Sequence, residues 1–150
     1  MAIDGFLTFP DIVGESQRRG HEDEIEVHDI AFAMAAPQSA SGARRGRVVL
    51  RPLTVRKFYD RASPYLKTLL QDGRHADRVS LAVTRTREGS TRDYLVITLR
   101  EVSLVSYELS TTEDGRLEEL LTLAYRRITF TYEGQHEVEL ETQGVVEGLR

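Results

Sequence analysis

Between residues 117 and 133 the apolar side chains fall on alternate positions, and halfway along the alternation changes phase. Leu121, Leu123 and Tyr125 share one parity; Ile128, Phe130 and Tyr132 share the other, with the change at Arg126-Arg127. Successive side chains of a strand point to opposite faces, so a change of phase carries the buried face across the sheet. A closed barrel, or a corner between two packed sheets, needs such a strand. Most of the chain keeps the same period of two. Residues 3–9 alternate and stop at Pro10. Ile30, Phe32 and Met34 alternate, and the offset from Val27 predicts a bulge near His28-Asp29. Residues 48–55 read as a strand in which Pro52 predicts an edge position or a bulge. Val79, Leu81 and Val83 follow, then a long strand or strand pair over 93–108. In the last marginal strand Val138 and Leu140 alternate with Glu137, Glu139 and Glu141. Glu88-Gly89-Ser90 and Glu113-Asp114-Gly115 are turn signals.

One segment has helical period. Ser63 stands at the N-cap position with Pro64 at the first helical turn. Tyr65, Leu66, Leu69 and Leu70 make an apolar stripe, and Gly73 stops the helix. The expected fold is all-β: a small β-barrel of two packed antiparallel sheets with one short flanking helix over Ser63–Asp72. A helix this short is unstable alone and has to dock on the sheet.

The 150 residues suit a single domain, with an extended loop at 37–47 and a weakly ordered tail from about 142. A chain of this length buries roughly 70% of its unfolded surface, enough to fold without metals or cross-links. There is no cysteine, which excludes disulfides, thiolate nucleophiles and cysteine-based zinc sites. The net charge of −4 argues against general affinity for nucleic acid. The N-terminus lacks the basic and apolar regions of a signal peptide, and no apolar run approaches the ~20 residues of a membrane span. Synthesis in the cytoplasm, with any export by a route that reads no N-terminal signal, is the expectation, and no membrane insertion.

No catalytic set converges. His21 lies beside Glu22, Asp23 and Glu24, His28 beside Asp29, and His136 before alternating glutamates, but none has the spacing of metal ligands. Ser16, Ser63, Ser80 and Ser103 lack a nucleophile-elbow pattern. No enzyme activity, cofactor or metal is expected. Residues 37–47 are the one shift in composition: small and polar, then basic, with Ser39, Ser41, Arg44, Arg45 and Arg47. No aromatics are interleaved for stacking on bases. The arginines read either as a solvated loop or as a protein contact, docking on a carboxylate-rich face such as Glu22, Asp23 and Glu24 of another copy.

In this order the segments resemble the hemolysin-coregulated protein (Hcp) family of bacterial type VI secretion systems. Ile3-Asp4-Gly5-Phe6-Leu7 is followed by Gly14-Glu15-Ser16, then by Glu24-Ile25-Glu26-Val27. Residues 57–66 with Ser63-Pro64 come next, then Tyr94-Leu95-Val96-Ile97-Thr98-Leu99 and residues 118–132. The resemblance implies a β-barrel subunit that closes head to tail into a hexameric ring. It implies rings stacked into a tube expelled with a spike by a contracting sheath, with effectors held in the lumen. A soluble ring that binds effectors and rarely makes tubes is the alternative. The 37–47 loop is then expected to reach toward the next ring.

Overall fold

The computed structural model describes residues 2–38, 42 and 47–142. They form β1 (Asp4–Thr8), β2 (Ile25–Val27), β3 (Asp29–Ala31), β4 (Met34–Ala35), β5 (Val49–Leu50), β6 (Leu53–Phe58), α1 (Ser63–Asp72), β7 (His75–Arg87), β8 (Ser90–Thr111), β9 (Leu117–Ala124), β10 (Arg127–Tyr132) and β11 (His136–Glu141). The chain is all-β with one short helix, as its periodicity requires. The curvature is carried by one nine-stranded sheet in the order β2-β1-β7-β8-β9-β6-β3, from which β10 and β11 branch at β8. The strand pairs of this sheet are antiparallel. β4 and β5 make a separate two-stranded ribbon.

The two ends of that order are consecutive in the chain. β2 pairs with β1, β3 pairs with β6, and one residue, His28, lies between them. Its N–H donates to Arg56 O on β6 (2.9 Å) and its carbonyl accepts from Ile3 N (3.0 Å). The sheet therefore curls until its margins meet at His28. The bulge expected at His28-Asp29 is instead an exchange of partners, which repairs the parity by starting a new strand. The strand expected over 48–55 is likewise two strands. Arg51-Pro52 separates β5 from β6, and β6 is interior, between β9 and β3. Proline has no N–H to give a ladder, so the chain leaves one sheet before it and joins the other after it. Tyr125, at the phase change after β9, satisfies the Arg51 carbonyl with its hydroxyl (2.7 Å). Burial pushes that phenol up to about 12.

β8 is one 22-residue strand, bent where Glu101 takes a positive φ of 51°. It pairs with β10 before the bend and with β9 beyond it, while β7 runs alongside from Ser90 to Ser103. A non-glycine residue in the left-handed region costs about 1 kcal/mol or more, and here it turns the corner of the sheet. The β7–β8 hairpin turns on Glu88 and Gly89, both at positive φ, as a two-residue loop of this twist requires. Helix α1 lies against β8 through the fully buried Leu66, with Leu69 and Leu70 partly covered. Tyr65, counted in the stripe, is exposed. Gly73 closes the helix in the left-handed conformation. The core is aliphatic, led by Leu7, Ile25, Leu53, Leu81, Ile97, Leu99, Leu121, Leu123 and Ile128.

Candidate functional site

The strands that flank the basic segment in sequence, β4 and β5, form a ribbon that pairs Met34 with Leu50 and Ala35 with Val49. Ser39, Ser41, Arg44 and Arg45 lie outside the described residues. Arg47, at the foot of the ribbon, is exposed, as are Met34 and Val49. A two-stranded ribbon of this size is marginal in water, so its exposed apolar residues mark it as a surface that gains from a partner.

The three carboxylates proposed to receive such arginines are engaged within the chain. Glu22 Oε1 accepts from Gly20 N (3.0 Å), Asp23 Oδ1 from the Arg61 guanidinium (2.8 Å), and Glu24 Oε1 faces His21 Nδ1 (2.8 Å). Glu22 and Asp23 remain exposed. Asp23 sits at φ 63°, where the chain doubles back so that Gly14 N donates to Asp23 O (2.8 Å). Gly14 permits this approach: a Cβ there would lie 2.3 Å from Glu24 O. Elsewhere His28 bonds Glu118 through Nε2 (2.7 Å) and stacks on Phe58 with centroids 4.2 Å apart. Among the described residues no group of three or more histidines and acidic residues is placed to hold a metal. No described helix is long and apolar enough to cross a membrane.

The largest departure from the sequence reading is a polar network inside the sheet. Lys57 and Glu119 are fully buried and stand opposite each other across β6 and β9. Lys57 Nζ donates among four oxygens: Glu119 Oε1, Asp60 Oδ1 (2.9 Å), Phe58 O (3.0 Å) and Ser63 Oγ (3.1 Å). The Ser63 hydroxyl donates to Glu119 Oε1 (2.8 Å), and the Tyr107 hydroxyl to Glu119 Oε2. Burial, and then the Glu119 carboxylate, raise the Tyr107 phenol well above its ordinary range. Ser63 is thus not the N-cap. That position is Ala62, without a side-chain bond. Instead Ser63 Oγ accepts from Asp60 N (3.0 Å), and Asp60 Oδ1 accepts from Ala62 N (3.0 Å). The network pins the start of α1 to the sheet. Its signal in the sequence is parity: Lys57 shares the face of Leu53 and Val55, and Glu119 that of Leu121 and Leu123. A charge in an apolar row needs a buried partner.

The second structural feature of consequence is the open margin. Among the described residues β11 pairs only with β10. Thr142 N donates inward to Arg126 O (3.0 Å). By the alternation of an antiparallel ladder, His136, Val138 and Leu140 also turn their N–H toward β10, and Glu137, Glu139 and Glu141 turn theirs outward. Val138 is 49% exposed. An unpaired strand of six residues is a template for another chain.

The family model described as "Type VI secretion system effector, Hcp" matches residues 6–132. Protein hcp1 of Pseudomonas aeruginosa is 33% identical over 140 residues, covering 90% of this chain and 86% of that protein. The major exported protein of the same organism is 29% identical over 132 residues, covering 82% and 77%. Hcp1 from the Escherichia coli EAEC 042 pathovar superposes with a TM-score of 0.83 at 22% identity, over 94% of this chain and 98% of that one. Hcp1 from Salmonella typhimurium gives 0.75 at 26% identity, over 93% and 92%.

Proposed function

The chain belongs to the Hcp family of type VI secretion proteins, and from that premise we propose that it is a tube subunit, closing into a hexameric ring whose copies stack and leave the cell with bound effectors. The observation that carries this reading is the β11 margin, which has no second strand partner among the described residues. A heterologous contact covers one margin on every copy, and when the rotation closes it makes a ring without leftover edges. The ribbon with Arg47 at its foot is assigned to contacts between rings, and the exposed Glu22 and Asp23 to its acidic counterpart. Export in the manner of a major exported protein, with a sheath, a spike and lumenal cargo as partners, completes the assignment.

Solution mass tests it. Sedimentation of the purified protein at micromolar concentration is expected to give about six protomers, and electron microscopy rings of uniform diameter, stacked at high concentration. A stable monomer at high concentration would overturn the assembly reading. Rings that never stack would confine it to a soluble, cargo-binding ring.

A further inference from the structure

Residues 14–24 form an irregular hairpin whose base is held by backbone bonds: Gly14 N to Asp23 O (2.8 Å), Ser16 N to Glu24 O (3.0 Å) and Asp23 N to Ser16 O (2.8 Å). Its tip, residues 17–22, is fastened to the body by side chains. His21 is the principal fastening. Its ring stacks on Phe6 of β1 at 4.5 Å and 6° between planes. Its two nitrogens face two carboxylates: Nδ1 lies 2.8 Å from Glu24 Oε1, and Nε2 lies 2.8 Å from Asp93 Oδ1 on β8. An ionised carboxylate only accepts, and a neutral imidazole carries one N–H. Both contacts are hydrogen bonds only when both ring nitrogens carry a proton. After loss of one proton, a nitrogen lone pair faces a carboxylate oxygen at hydrogen-bond distance, and that contact is repulsive.

We propose that His21 is a pH-operated latch: the imidazolium ties the 17–22 turn to β8, and the neutral ring releases Asp93 and lets the turn swing away. Asp93 is the side that parts. Glu24 is three residues from His21 on the same paired base, whereas Asp93 belongs to β8 and its side chain is 38% exposed. The charged groups around the ring come from every packed element. Glu22, Glu24, Arg18 and Arg19 share its hairpin, Asp4 is on β1, and Arg92 and Asp93 are on β8. Arg18 is turned to Asp4 (3.5 Å) and to Thr84 Oγ1 (3.4 Å), and lies over Phe6 at 5.3 Å. Arg92 is turned to Glu133 (3.1 Å). Neither cation stands between His21 and its carboxylates. Burial opposes the charged ring, but the bonds from Asp93 and Glu24 outweigh it and hold His21 above its ordinary value of 6.5. The exposed Arg19 and Glu22 ride on this turn, so the latch sets where two charged side chains stand on the surface. It works within one chain and does not depend on assembly.

Amide hydrogen exchange at about pH 6 and about pH 9 tests the latch, with labelling times scaled for intrinsic exchange and the β7–β8 hairpin as internal reference. Protection at Gly20 and His21 is expected to fall several-fold at the higher pH. His21→Gln is expected to be open at both. Asp93→Asn is the second variant, because its amide donates to the bare nitrogen of the neutral ring; it keeps the turn protected at both. Equal protection of the native turn at the two pH values overturns the latch. So does native-like protection of His21→Gln at about pH 6, or an Asp93→Asn turn that opens with pH as the native one does.

Discussion

The two flanks of β8 treat their outer strands in opposite ways. Beyond the bend at Glu101 the sheet continues through β9 and β6 to β3, and the chain joins that margin to β2 through His28. The margin is sealed by backbone bonds, by the His28–Glu118 and Phe58 contacts, and by the buried Lys57–Glu119 network behind it. Before the bend the sheet continues through β10 to β11 and stops. There the last strand carries Val138 half exposed and Glu139 exposed. One flank spends its polar groups inside the chain. The other keeps a row of outward N–H and C=O groups. On the proposed ring assembly, the sealed flank folds the protomer and the open flank joins protomers.

Substitutions on the sealed flank are expected to unfold the protomer. Lys57→Met leaves Glu119 buried without its cation, and is expected to cost about 3–5 kcal/mol in urea unfolding. The double change Lys57→Met with Glu119→Leu removes both charges and is expected to recover most of that loss. A double variant no more stable than the single would show that the pair does not account for the cost. His28→Ala loses a hydrogen bond to Glu118 and a ring stack on Phe58, and is expected to cost about 1–2 kcal/mol. A change within error would mean that the backbone of residue 28 holds the margin without its ring.

Substitutions on the open flank are expected to spare the fold. Glu139→Pro removes an outward N–H and no ladder bond, so protomer stability is expected to move by about 1 kcal/mol or less while oligomer mass collapses. Changing Arg44, Arg45 and Arg47 together to Glu is expected to leave rings intact and abolish stacking in electron micrographs; loss of the rings themselves would overturn the placement of that loop. The smallest effect is on pH. A histidine held above its ordinary value stabilises the fold fully below about pH 6.5. That contribution is lost as pH rises through the higher folded value. Melting temperature is expected to decline across that window in the native chain and to decline less in Asp93→Asn.

The sealed flank was also the harder one to read from sequence. Alternation located nearly every strand, because half-buried strands write their period directly into the chain. It could not show that β2 and β3 exchange partners at a single residue, since closure is a contact between strands far apart in sequence. Lys57 and Glu119 stand in apolar rows whose parity marks them as inward, but their pairing depends on the β6–β9 register, 62 residues apart. Ser63 departs from its sequence reading for a related reason. A Ser-Pro start suits an N-cap, but the hydroxyl oxygen that would cap accepts instead from Lys57 Nζ and Asp60 N, while its proton goes to Glu119. The last strand was legible as marginal because its glutamates alternate with Val138 and Leu140, the composition of an edge. The acidic triplet was legible as exposed charge, but not as bonded to Arg61, His21 and Gly20.

In the proposed ring a neighbouring copy covers β11. Amide exchange at Glu137, Glu139 and Glu141 in the assembled protein reads it directly, because these N–H groups face away from β10. They are expected to exchange slowly in the oligomer and to become fast when Glu139→Pro or dilution separates the protomers. Fast exchange at all three in the intact oligomer would contradict it.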